Sequence, residues 1–163
     1  VTELFSFPNP VNEKAARVVA AGVVVLSLLA LLPGLTWLSA PIAAGFLLRV
    51  ASGPRFSPLG LLATRVIAPR LGAPKPVPGP PKRFAQAIGA VLSTTAALAF
   101  LAFGATGLAR VLLGLIVLAA TLESVFALCL GCLLFGWLMR AGVISPAVCR
   151  ACQDVRLRYG ENG

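Results

Sequence analysis

At 163 residues the chain is long enough for one domain, but 58% of it is hydrophobic and only 12% charged, with a mean hydropathy of +0.93. Soluble domains are about 45–50% apolar and about 25% charged, so a water-soluble fold of this size lacks the polar surface to cover the rest, and an all-α membrane protein is expected. The formal net charge is +9, with no His, one Asp and four Glu. That inventory excludes histidine-based acid–base catalysis, histidine haem ligation, mixed Cys/His metal sites and a two-carboxylate hydrolase.

The first apolar run spans about 15–32 and ends at Pro33-Gly34. Asn9-Pro10 reads as its entry, a capping residue followed by Pro. The run is longer than the apolar stretch of a signal peptide and leads straight into another, so it reads as a span. The second run, about 35–50, follows after Pro33-Gly34 alone, which predicts a tight helical hairpin; Pro41 inside it predicts a kink. Residues 51–83 form a basic, Pro-rich loop. Within it Ser57-Pro58 reads as a helix start and Pro69 as a stop, and Leu59, Leu62 and Val66 share one helical face. A short helix lying in the membrane interface is expected there, with an ordinary loop as the alternative. Residues 69–83 contain six prolines and should be extended and semi-rigid.

The third run, about 84–103, ends in Gly104-Ala-Thr-Gly107. The fourth begins near Leu108 and meets no turn chemistry before Met139. At ~1.5 Å per residue it measures roughly 48 Å against a hydrocarbon core of ~30 Å. One long helix over 108–139 is expected, tilted or kinked near Glu123-Ser124. In the tail, 140–163, Ser145-Pro146 starts a short helix that runs to about Arg158, before Gly160. The sum is a single membrane domain over 1–163. It has four transmembrane helices as two hairpins, a short interfacial helix and a short cytoplasmic C-terminal helix.

Of the 14 Lys and Arg, all but Arg110 fall on the side opposite the two hairpin connections. The positive-inside rule makes that side cytoplasmic, which places the chain in the inner (plasma) membrane with both termini in the cytoplasm. The same topology accounts for the basic character without nucleic acid.

All four Cys lie within 129–152. Cys129 and Cys132, spaced by three inside the fourth run, would share one helical face. Cys132 would then sit about 12 Å along the helix from Arg140, near the cytoplasmic interface or somewhat inside it. Cys149 and Cys152 fall on the tail helix. There a helix N-terminus and neighbouring Arg150 favour a thiolate, so an exposed reactive pair and a sheltered pair are expected. The first reading is thiol–disulfide exchange between the pairs, or sulfur relay through a Cys persulfide. The second follows from the spacing C-x2-C-x16-C-x2-C, which suits a structural zinc site on Cys129, Cys132, Cys149 and Cys152. No other cofactor is called for. A third reading is that Cys129 and Cys132 simply pack. Glu123 lies deep in an apolar run, which marks it either as a proton-handling group or as a polar staple to Ser93, Thr94 or Thr95. An unbroken helix would keep it off the Cys129/Cys132 face.

Phe7-Pro-Asn-Pro-Val-Asn-Glu13, Pro81-Lys-Arg-Phe-Ala85, and Leu122-Glu123 followed by Cys129-Leu-Gly-Cys132 resemble the bacterial membrane family catalogued as domain of unknown function 4395. The resemblance covers nearly the whole chain. It implies a four-helix membrane domain with Glu123, Cys129 and Cys132 as hallmark residues. Proximity of such genes to thioredoxin-like and rhodanese-like genes implies thiol or sulfur chemistry. Where many relatives carry a polar or acidic residue in the second run, this chain reads Ala43-Ala-Gly-Phe-Leu47, which argues against a cation path there.

Three functions are therefore expected. The first is a membrane partner of thioredoxin-like or rhodanese-like proteins, with Cys149 attacking, Cys152 resolving, Cys129 and Cys132 exchanging with them and Glu123 tuning or protonating. The second is a zinc-stapled scaffold or assembly subunit. The third is a transporter of a small sulfur species, working as a homodimer packed on Gly89, Ala90, Ser93, Ala96 and Ala97.

Overall fold

The computed structural model describes residues 11–52, 57–73, 76–77, 79–126 and 128–143. They form a helical bundle. Helix α1 spans Glu13–Ala30, and a 3₁₀ turn Thr36–Leu38 leads into α2, Ser39–Ser52. A short α3, Pro58–Leu61, continues through a π turn, Leu62–Ile67, and a 3₁₀ turn, Ala68–Leu71. Then follow α4, Gly79–Leu101, α5, Thr106–Phe126, and α6, Leu130–Arg140. Two residues of extended chain, Val11–Asn12, pair antiparallel with Pro76–Val77 and tie the start of α1 to the start of α4.

Local chemistry explains most of the boundaries. Asn12 caps α1, its side chain accepting from the Lys14 N–H at 3.1 Å; the expected entry at Asn9-Pro10 lies outside the described residues. Pro41 produces no kink in this arrangement, because α2 begins at Ser39 and Pro41 falls in its first turn, where no intrahelical N–H bond is lost. Ser57 caps α3, accepting from Gly60 N–H at 3.3 Å, with Pro58 behind it. The segment is thus helical rather than an ordinary loop, and it runs past Pro69 to Leu71. Helix α4 starts earlier than expected, at Gly79 rather than Phe84, because Pro80 and Pro81 fit the first turn as well as they fit an extended chain. Gly34 and Gly104, at φ +79° and +64°, make the two turns that the hairpins need.

Two expectations about the spans need correction. By length and composition two helices, not four, can cross a membrane: Pro81–Leu101 and Thr106–Phe126. Helix α1 is 18 residues long but opens with Glu13, Lys14 and Arg17, and α2 has only 14 residues. The fourth run is also not one helix. It stops at Phe126 and restarts at Leu130, so its length is used in two directions.

The helices that are neighbours in sequence are not the closest neighbours in space. Helix α2 packs chiefly on α4, α1 on α5, and α4 on α5 as well. Small side chains line these contacts: Ala30, Ala96 and Ala109 are fully buried together with Leu113, which lets backbones approach. Gly89 faces the Phe46 ring so closely that a Cβ would overlap it. Ala90, Ser93, Ala96 and Ala97 are buried inside this bundle, so the small-residue stripe expected at a dimer contact is used within one chain. The outward faces are apolar instead, with Val25, Leu47, Val91, Leu98, Val111 and Leu118 all exposed.

Candidate functional site

Cations gather at the end of the bundle where α1 and α4 begin and α2 and α5 finish. The Arg17 guanidinium donates to the carbonyls of Ser124 at 3.0 Å and Val125 at 3.2 Å. Arg83 donates to Val50 O at 3.0 Å, near the end of α2. Lys14 donates to Leu71 O at 3.0 Å. Each cation thus meets carbonyls at the negative end of a helix, which intrahelical bonds leave unsatisfied.

Glu123 sits in this cluster. Its carboxylate pairs with the Lys82 ammonium at 2.5 Å, and the two side chains are only 14% and 10% exposed. The expected partners Ser93 and Thr95 bond their own helix, to Gly89 O and Val91 O, while the Thr94 hydroxyl is buried without a partner among the described residues. A full charge in the first turn of α4 outcompetes hydroxyls two or more turns further along. Arg49 is buried beside this pair. It donates to Gln86 Oε1 and Ser57 Oγ, both at 3.0 Å, and lies over the Phe46 ring, 4.7 Å from its centroid. Sequence reasoning passed over Lys82, Arg49 and Gln86. The signal was present in Lys82 alone, placed at the opening of an apolar helix.

Cys129 and Cys132 form a disulfide with Cα atoms 5.2 Å apart. The pair does not lie on the middle of a helix. Cys129 is the N-cap of α6, with extended backbone, and its sulfur accepts the Cys132 N–H at 3.2 Å. The break that creates this end has identifiable causes. Arg17 takes the Ser124 and Val125 carbonyls, and the Leu128 N–H reaches back to Leu122 O. Cys129 is buried at 8% exposure, and Cys132 is half-buried. A helix N-terminus, the setting that the sequence assigned to Cys149, is found at Cys129. Cys149 and Cys152 themselves lie outside the described residues, as does the expected tail helix.

Helix α6 is held against α4 by Phe135 in edge contact with Phe84, ring centroids 5.6 Å apart. At Gly131 the approach is closer. A Cβ there would fall 2.6 Å from the Ala85 Cα, a backbone atom that cannot swing away. Gly131→Ala should push the start of α6 off α4 at a cost of about 1–3 kcal/mol. A thermal melt in detergent and the rate of Cys129–Cys132 re-formation after reduction would both register it; an unchanged melt and rate would show that the contact is dispensable.

A cavity of about 360 Å³ lies beside the disulfide. Glu123, Gln86 and Cys129 line it, and the rest of the wall is almost entirely apolar, with Val23, Phe46, Ile116 and Ala120 among the wall residues. The break after Phe126 is what allows Glu123 and Cys129 to face one space. Among the described residues no three His, Cys, Asp or Glu gather into a metal site. Cys129 and Cys132 are bonded to each other, so zinc would need them reduced and joined by residues outside the described set.

These features define a helical bundle with a disulfide closing the N-terminus of one helix beside an internal ion pair. The family profile described as Domain of unknown function (DUF4395) matches residues 11–140, and the chain belongs to that family. No curated protein and no solved structure matches it.

Proposed function

We propose that the chain is an inner-membrane thiol–disulfide exchange protein whose redox pair is Cys129–Cys132. The position of Cys129 at the N-cap of α6 carries the reading. A helix N-terminus supplies N–H donors and a favourable dipole to a thiolate, which makes Cys129 a good leaving group when the disulfide is attacked. Cys132 is the more exposed residue of the two and is the one that an incoming thiolate reaches first. The attacking thiolate is that of Cys149, with Cys152 resolving, or that of a thioredoxin-like partner. A rhodanese-like partner using a persulfide would enter at the same sulfur. The lipid-facing side chains and the collection of cations at one end support a bundle embedded with that end, and both termini, in the cytoplasm. In this reading α4 and α5 cross the apolar layer, and the buried charges stay near the cytoplasmic interface.

The test is a thiol count on anaerobically purified protein, combined with metal analysis of the same sample. Cys129 and Cys132 should resist alkylation until a dithiol reductant is added, then become labelled, and then return to the protected state on mild oxidation. Permanently free thiols at both positions would sink the proposal. About one zinc per chain, with thiols masked until chelation, would instead favour the structural-metal reading.

A further inference from the structure

A disulfide that accepts electrons at Cys132 must pass them on, and the cavity next to Cys129 suggests where. We infer that this cavity binds the head group of a lipid-soluble quinone, which reoxidises the Cys129/Cys132 dithiol; the inference rests on the thiol-exchange reading above. Four observations carry it. The volume of about 360 Å³ lies within the range of small-molecule sites, roughly 300–1,000 Å³. Leu115, Leu118, Leu130 and Leu134 both line the cavity and are exposed on the bundle surface, so its mouth is apolar and opens where lipid would be. The polar groups inside are few and suited to a quinone: the Gln86 amide can donate to a ring carbonyl, and the Glu123 carboxylate can carry a proton. Finally, Cys129 lines the cavity, while the more exposed Cys132 is not part of its wall. The two sulfurs of one bond therefore serve two sides.

The chemistry balances. An incoming protein dithiol reduces the disulfide: its first thiolate bonds Cys132 Sγ, the S–S bond breaks and Cys129 leaves as thiolate. The second thiol of the donor then displaces Cys132, and the donor departs as a disulfide. Cys129 Sγ next adds to the quinone ring. The Cys132 thiolate attacks Cys129 Sγ, the new S–S bond forms, and the carbon–sulfur bond breaks with its electron pair moving into the ring. Two protons, one through Glu123, complete the quinol. One dithiol is oxidised for each quinone reduced.

The experiment uses the full chain in nanodiscs, reduced and freed of reductant under anaerobic conditions, with decylubiquinone as the probe. Diamide, a small thiol oxidant, serves as the control. Quinol should form in a one-to-one ratio with disulfide, and Gln86→Leu and Ala120→Phe should each slow the quinone reaction at least tenfold. Re-formation of the disulfide by diamide but not by decylubiquinone would overturn the quinone inference and leave thiol exchange standing. Failure with both would overturn the thiol-exchange reading itself. Quinone reduction equally fast in both variants would place the reaction outside this cavity.

Discussion

Cys129→Ser should accumulate a mixed disulfide on Cys132, and Cys132→Ser should not accumulate one on Cys129. The asymmetry follows from the geometry of a single bond. Cys129 is buried at the N-cap of α6, and Cys132, one turn on, is half-exposed. With Cys129 gone, the Cys132 thiolate can still open the disulfide of an oxidised partner, and the mixed disulfide so formed cannot be released by attack from within the pair, so it persists. With Cys132 gone, the remaining sulfur faces the cavity and is shielded from protein thiols. A non-reducing peptide map of Cys129→Ser should show Cys132 linked to an added oxidised thioredoxin-like protein, or to Cys149 when Cys149 and Cys152 enter as a disulfide. Both variants should lose disulfide cycling completely. Equal trapping in the two, or trapping on Cys129 alone, would reverse the assignment of which sulfur meets the partner.

The second large effect concerns Lys82 and Glu123. Removing either partner leaves the other at low exposure without its direct ion-pair partner, which costs up to about 3–5 kcal/mol, less for Lys82→Met because Arg49 still faces Glu123. Lys82→Met and Glu123→Gln should each lower the denaturation midpoint markedly. The double variant Lys82→Met/Glu123→Leu should recover most of the loss, because two well-packed apolar side chains replace a buried ion pair at little net cost. A double-mutant cycle measures the coupling directly. Additive effects, each below about 1 kcal/mol, would mean that the pair behaves as a surface contact. The two predictions are separable in the same proteins. Glu123→Leu within the stable double variant tests whether the carboxylate is needed for quinol formation once its structural role has been replaced.

Much of this molecule is legible in its sequence. The apolar runs, the Pro33-Gly34 and Gly104 turns, the Ser57-Pro58 helix start and the concentration of cations on one side all follow from local composition. So does the choice of Glu123 and the Cys-Leu-Gly-Cys element as candidates, since a carboxylate and two thiols stand out in an apolar segment. Length and hydropathy are additive along the chain, which is why such features need no tertiary information.

What the tertiary structure decided is where the fourth run ends and what its polar residues face. No Gly or Pro announces the break after Phe126. It depends on Arg17, which lies 107 residues from Ser124 in sequence and takes the carbonyls that would otherwise continue the helix. The partner of Glu123 was hidden for the same reason: Lys82 stands 41 residues away and meets it only when α4 and α5 pack antiparallel. The sequence alone singled out Glu123 and the cysteines as candidates. Their assembly into one site, with a helix N-terminus at Cys129 and a cavity shared with Glu123, required long-range hydrogen bonds and packing that no local pattern encodes.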